Sequence, residues 1–432
     1  MFDRVSPPSA TRAPPQTTPS ATLLGPPGAK RQSPPDRTDR GRIHPARRFC
    51  DNRLLINTPS DRAVKSKAVI CRENNQPVVV EMIDVAPPKS GEVMIRLDAC
   101  GVCHSDLSAT NGTIPFPTPL ILGHEGAGTV VEVGPGVTDF AVGDPVLSSF
   151  VTMCGRCHYC TIGRPALCDV GAKTLYTLPS GELRTTDAAG AALNIFSGCG
   201  VMAEYATLST MSLIKLPPGI PAQAAALVGC GVMTGFCAVT NTARVVPGSS
   251  VAVFGCGGVG LSAIQGAHIA GAVTIVAVDI DDFKLDLAKS MGATHAINSR
   301  GEENLAKALK KLTGGGVDYA FECVGSGELV AQAYACLRKA GTVVVVGVAR
   351  PKDTTTIRTA SLTFEEKTIT GSYFGSARPR DDAPRILGLY KAGRVKLDEL
   401  VTRTYSIDDA PQAFADLEAG RNARGVIVFD SH

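Results

Sequence analysis

Residues 251–260 read Val-Ala-Val-Phe-Gly-Cys-Gly-Gly-Val-Gly, an apolar run that breaks into glycines at 255, 257, 258 and 260. β-favouring residues followed by GxGxxG predict a strand, a tight turn and a helix opening at Gly258. The glycines permit the turn and the close approach of a pyrophosphate, and the free amides at the helix start favour its charge. Thr274–Asp279 predicts a second strand, which ends 24 residues beyond Gly255 in an acid. A carboxylate there accepts from a ribose 2′-hydroxyl and repels a 2′-phosphate. The expectation is a dinucleotide site at Gly255, Gly257, Gly258, Val259, Gly260 and Asp279 that prefers NAD to NADP. The competing reading is a structural glycine turn beside an unrelated strand-end acid.

Downstream of this unit, strands and helices alternate. Helices are predicted at 258–271, 282–292, 302–312 and 328–339, and strands at 317–323 and 342–348. That rhythm implies βαβ units and a parallel sheet. Strand 368–373, a helix near 384–392 and strand 425–429 close the chain. Upstream, from about Lys67 to Lys215, short strands such as Glu92–Leu97, Gly128–Val133 and Pro145–Ser148 are broken by glycine and proline, and this part reads as mostly β.

The 432 residues suffice for two or three domains, and 44% hydrophobic against 19% charged residues is the balance of an ordinary globular chain. No apolar run approaches the roughly 18–20 residues that span a bilayer, so no membrane segment is expected. Residues 1–65 hold 11 prolines and 12 Lys+Arg against 5 Asp+Glu, a balance of +7, which leaves the remainder at −4. A mildly acidic body gives no reason to expect nucleic-acid binding. The first 65 residues bury too little apolar surface to offset their ordering entropy and read as a disordered Pro/Arg-rich tail. An upstream mis-start, with the working protein beginning near Val64, stays open beside that reading. A transit peptide is disfavoured by the prolines.

Fourteen cysteines in a long chain without a secretory apolar region point to a reducing cytoplasm and to metal or catalytic roles. Cys154, Cys157, Cys160 and Cys168 fall within 15 residues, interleaved with Gly155 and Gly163. Four thiolates close a tetrahedral zinc shell with no open position, the signature of a structural site. Zinc ribbons that bind nucleic acid pair two CxxC knuckles over a longer gap, which this spacing does not match.

Three further features are ordinary singly. Cys103-His104-Ser105-Asp106 follows a predicted strand, Gly123-His124-Glu125 opens the next, and Cys230 lies in Leu227–Gly235. Joined to the glycine turn and the cysteine lobe, they resemble the zinc-containing medium-chain alcohol dehydrogenases, of the branch that acts on aryl and alkyl primary alcohols. The resemblance runs from about Lys67 to Asp430.

It implies an α/β fold with two parts. One is a mostly β, GroES-like catalytic domain at 66–231, completed by 374–432. The other is a Rossmann parallel-sheet domain at 232–373. It implies catalytic zinc ligands at Cys103, His124 and Cys230, alcohol dehydrogenase being the standing example of a Cys₂His set that leaves one position open. Glu125 and Asp106 fall where relatives keep acids behind the ligands, Asp106 orienting His124 through its other ring nitrogen. Ser105 falls at the hydroxyl that takes the substrate proton. His104 and Arg424 fall at phosphate contacts, and Lys284 beside the adenosine ribose. Ser108 stands where many relatives carry a histidine that ends the proton relay, so the outer relay departs from the family pattern.

The resemblance further puts Phe150, Phe196, Ile114, Val348 and Tyr373 around cofactor and substrate, an apolar lining suited to an alkyl or aryl alcohol. Glutathione-dependent formaldehyde dehydrogenases carry an acid where Ile114 stands, which argues against a thiol-adduct substrate, the alternative activity. The implied protein holds NAD and two zinc ions per subunit, takes a small alcohol or aldehyde, and is a homodimer. Two other classes compete with an enzyme: a non-catalytic protein that keeps only the structural zinc, and a nucleic-acid binder acting through the basic tail.

Overall fold

The computed structural model describes residues 62–430. The tail reading falls on residues 1–61, outside the described residues. Its boundary moves, however: Val64 and Lys65, counted with the tail, belong to the strand Val64–Cys71, where Val64 pairs with Val85 and Lys65 with Asp84.

The glycine-turn region forms a six-stranded sheet in which every pairing is parallel. Its order runs His295–Asn298, Thr274–Asp279, Ser250–Phe254, Val317–Glu322, Leu337–Val345, Thr368–Gly371. This is the doubly wound arrangement, in which the order reverses beside the first strand and opens a crevice at the strand ends. Val251, Ala252, Val253 and Phe254 are at most 1% exposed, as a strand covered on both faces requires. Fully burying such aliphatic or aromatic side chains contributes roughly 1.5–3 kcal/mol each.

Three helix starts in this region are set by side-chain caps. Asp281 accepts from Phe283 N and Ser326 from Leu329 N, each satisfying an amide the helix leaves free. The helix expected from Glu302 begins instead at Leu305, because Asn304 caps it by accepting from Lys307 N at 3.0 Å. The helix expected over 328–339 ends at Ala335: Val317 N donates to the Cys336 carbonyl, and Leu337 already pairs in the sheet. Strand His295–Asn298, a partly buried edge, was not foreseen. The helix expected from Pro384 starts at Pro379, which supplies the proline of its first turn.

The remaining described residues build two β sheets. One has the order Thr185–Thr186, Val79–Val85, Val64–Cys71, Leu120–Ile121, Asn194–Ile195. The other is centred on Glu92–Val102, which pairs with Gly126–Val133, with Tyr205–Ser209 and with the last strand, Gly425–Val428. That last pairing is antiparallel and sets Gly425 opposite Val102, so the chain's end returns to the segment that carries Cys103. The buried helices Ala222–Val228 and Gly231–Cys237 share one apolar core with both the β part and the parallel sheet. Among the described residues, no single helix is long and apolar enough to cross a membrane.

Candidate active site and metal centres

Cys103 directly follows the long central strand and caps the start of the helix His104–Thr110. Asp106, fully buried, accepts from Cys103 N at 3.3 Å and Gly123 N at 2.9 Å, and its Oδ1 lies 3.3 Å from His124 Nδ1. One carboxylate thus fastens the helix to the turn that bears His124 and orients the imidazole. Cys230 stands at the start of Gly231–Cys237. Donor atoms of Cys103, His124, Glu125 and Cys230 all lie within 4.8 Å of one another. His124 Nε2 is buried and has no hydrogen-bond partner. An orphaned imidazole nitrogen aimed among thiols costs free energy unless something accepts its lone pair, and a metal ion does.

The electrostatics agree with that fit. The Cys103 thiol is held well below its usual pKa, first by the hydrogen bond from Cys230 and further by His124, against desolvation. Desolvation alone would lower the His124 pKa, but Asp106 outweighs it and the site favours positive charge. Glu125 is pushed up to about 6, chiefly by burial, with Arg424 opposing. Its Oε1 accepts from Gly231 N at 3.0 Å and its Oε2 from Arg424, so both oxygens are engaged by protein donors.

The second group sits apart. Cys154, Cys157, Cys160 and Cys168 also bring their sulfurs within 4.8 Å of one another. Gly155 and Gly163 take the positive φ that the lobe's turns require. Backbone amides point at sulfur, Cys154 N to Cys168 Sγ and Cys157 N to Cys154 Sγ, both at 3.3 Å. Such amides favour thiolates, and backbone hydrogen bonding is the first cause that draws Cys157 down to about 6. Four converging thiols with amide support fit a closed structural ion.

At the glycine turn, Gly255 has φ +89°, open to glycine and disfavoured for other residues. Asp279 Oδ2 accepts from Cys256 N at 2.6 Å, which sets the strand-end carboxylate on the turn itself. A side chain at Gly258 would collide with Arg424, which runs between the helix start and Glu125. His104, Lys284 and Arg424 come from distant segments yet converge. The His104 pKa is lowered by desolvation first, with Arg424 and Lys284 adding and Cys103 opposing.

Two cavities, of about 440 and 390 Å³, share Ala166, Leu167 and Tyr373. Val348 lines the larger and Phe150 the smaller. Phe196 differs: at 1% exposure it lines neither, and its ring stands edge-on to His124 at 5.1 Å and to Phe116 at 4.8 Å, supporting the imidazole from behind. Ile114 also lies outside both linings, where its amide bonds the Ser108 carbonyl. Sequence reading missed Ala166 and Leu167, which the cysteine lobe lends to both cavities, and Phe374, 5.7 Å from Phe150. An apolar leucine at 167, next to Cys168 in the cysteine lobe, was the signal available in the sequence. Ser105 Oγ lies 3.8 Å from Cys103 Sγ, at the mouth of the buried ligand cluster.

Comparison with known proteins meets this geometry. Residues 89–218 match the alcohol dehydrogenase GroES-like domain, and residues 258–392 match the zinc-binding dehydrogenase family. The NDMA-dependent alcohol dehydrogenase of Amycolatopsis methanolica is 40% identical over 369 residues, 84% of this chain and 99% of its own length. The S-(hydroxymethyl)glutathione dehydrogenase of a Synechocystis strain is 38% identical over 371 residues, 85% of this chain and all of its own. The crystal structure of benzyl alcohol dehydrogenase from Acinetobacter calcoaceticus superposes with a TM-score of 0.78 at 34% identity, covering 85% of this chain and 100% of that one. The chain therefore belongs to the zinc-containing medium-chain alcohol dehydrogenases, with a GroES-like domain joined to a Rossmann-like parallel sheet. Its activity is that of an alcohol dehydrogenase of this zinc type.

Proposed function

We propose that this enzyme oxidises a primary alkyl or aryl alcohol to the aldehyde, passing the hydride to NAD. The observation that carries the reading is the orphaned His124 Nε2 among Cys103 and Cys230, with Phe150, which lines the smaller cavity together with Tyr373, packed 5.1 Å from the imidazole. A zinc ion held by Cys103, His124 and Cys230 supplies Lewis acidity toward an alcohol oxygen, and the nicotinamide supplies the hydride acceptor. Ser105 takes the alcohol proton at its hydroxyl. Ser108 carries no imidazole, so the proton leaves through water. Asp106 keeps Nδ1 of His124 occupied and Nε2 free. Phe150, Tyr373 and Leu167 exclude water from the reacting carbon. Arg424, His104 and Lys284 receive the cofactor's phosphates and ribose, and Asp279 takes the ribose hydroxyl. A second zinc ion sits in the four-cysteine lobe.

The same reading makes the protein a cytoplasmic homodimer. Strand Thr368–Gly371 leaves one edge of the parallel sheet unpaired, with Ile369 38% and nearby Phe364 81% exposed, a surface suited to a second copy. A size-exclusion mass at twice the chain's mass is expected.

A second reading, oxidation of a thiol adduct of formaldehyde, is favoured by the Synechocystis relative. A panel of benzyl alcohol, hexanol and the glutathione or mycothiol adduct of formaldehyde, with NAD and with NDMA as acceptors, before and after chelation, separates the two. High turnover of benzyl alcohol and hexanol with NAD, lost on chelation, supports the first; turnover of the adduct alone overturns it.

A further inference from the structure

We infer that Thr242 is a positioning residue for the substrate wall at Tyr373, and that its hydroxyl sets the size of alcohol the cleft accepts. The inference rests on the alcohol dehydrogenase reading above.

Phe374, Gly375 and Ser376 all take positive φ, at 51°, 68° and 51°. Two of the three carry side chains that disfavour that region. Such backbone persists only where the surroundings over-determine it, and it concentrates beside functional sites. Here the surroundings are identifiable. Thr242 Oγ1 lies 2.8 Å from Ser372 Oγ and 2.9 Å from Ser376 Oγ. One hydroxyl therefore ties the residue before Tyr373 to the residue after Gly375, spanning the strained turn. A hydroxyl has one donor and two acceptor positions, enough for both bonds.

Thr242 is itself anchored on a segment continuous with the Cys230 helix. It lies in Ala238–Ala243, a π-helical extension of the helix that starts immediately after Cys230. Short π segments are uncommon and often mark functional sites. Its neighbour Asn241 donates to Asp382 Oδ2 at 2.8 Å, and Asp382 accepts from Arg378 N at 2.6 Å. Two successive residues of the π segment thus fasten both the turn and the chain that leaves it.

Residues at the two ends of the turn face the cavities. Tyr373 lines both cavities, and Ser372 and Ser376 line the larger. Phe374 packs on Phe150 at 5.7 Å, and Phe150 packs on His124 at 5.1 Å. Thr242 lines neither cavity, yet a shift of its hydrogen bonds moves Tyr373 and Phe374 together.

The test compares Thr242→Val, which keeps the shape and removes the hydroxyl, with Thr242→Ser, which keeps the hydroxyl. KM and kcat are measured for ethanol, hexanol and benzyl alcohol on the zinc-loaded full chain with saturating NAD. A displaced wall weakens binding of substrate and transition state alike, so KM moves and kcat does not. Thr242→Val is expected to raise KM for benzyl alcohol about fivefold, on the order of one lost hydrogen bond, and to leave KM for ethanol nearly unchanged. Thr242→Ser is expected to restore the wild-type ratio. A uniform fall in kcat with the KM ratio unchanged overturns the proposal. Where Thr242→Val fails to fold, the Ser372→Ala/Ser376→Ala pair removes the same bonds from the turn's side, and an unchanged KM ratio there overturns it equally. Wild-type protein that oxidises none of the three alcohols overturns the functional reading and this proposal with it. Wild type that does, matched by Thr242→Val, overturns the proposal alone.

Discussion

Arg424 pairs with Glu125 across 299 positions of sequence, and both side chains are at most 6% exposed. The pair joins the last strand to the turn that bears His124, and the arginine stem passes the glycine turn on its way. Fold completion and cofactor site therefore meet in one ion pair.

Breaking that pair should weaken both. Arg424→Met leaves Glu125 without its buried counter-charge, a loss of about 3–5 kcal/mol when one partner of a buried pair is removed. A lower melting temperature and weaker NADH binding, read by thermal denaturation and nicotinamide fluorescence, are the expected outcome. Full NADH affinity in a folded variant would refute a phosphate role for Arg424.

The two cysteine groups should separate by function. Cys230→Ala is expected to abolish turnover, retain NADH binding and hold one zinc per chain in place of two. Cys157→Ala is expected to lose stability and solubility, because a closed structural ion contributes folding energy. Zinc analysis with thermal melts distinguishes them; a Cys230→Ala protein that still holds two ions would contradict the ligand assignment.

Replacing Asp279 by Asn should relax the preference for NAD over NADP, since the carboxylate that repels a 2′-phosphate is gone. The check is the ratio of kcat/KM for the two cofactors. Unchanged discrimination would remove Asp279 from cofactor choice and leave it as the acceptor for Cys256 N.

Asp416 carries a pH dependence with a definite sign. Its carboxylate accepts from Tyr405, Gln412, Arg421 and Arg403, and its pKa is lowered, by the Tyr405 hydrogen bond first. A lowered folded pKa stabilises above the unfolded value and is lost as pH falls through the folded one. Wild type should therefore melt above Asp416→Asn at pH 7, and the gap should close only below about pH 4, near the unfolded aspartate value. Melts from pH 7 to pH 3 measure it, and a gap unaltered at pH 3 would speak against an ionised Asp416.

Much of the fold was legible because its signals are local. The alternation of strands and helices after Val251, the glycine turn and the cysteine spacing depend on neighbours within a few residues, where backbone sterics and periodicity act. Helix ends were less legible, because a cap such as Asn304 or a pairing such as Leu337 with Val317 depends on one hydrogen bond. The role of Phe196 was less legible for a different reason. An aromatic near a site reads alike whether it faces substrate or braces His124, and packing alone separates the two.

Residue type and spacing along the chain were enough to expose a glycine turn after a strand, an acid at the next strand's end, two groups of metal-ligand residues, and the family that unites them. Only the tertiary structure decided that Cys103, His124 and Cys230, spread over more than a hundred residues, share one small volume, and that Arg424 returns to seal it. Residue type and short-range spacing are written along the chain. Convergence of distant segments is produced by sheet pairing and a common buried core, whose free energy belongs to the whole fold.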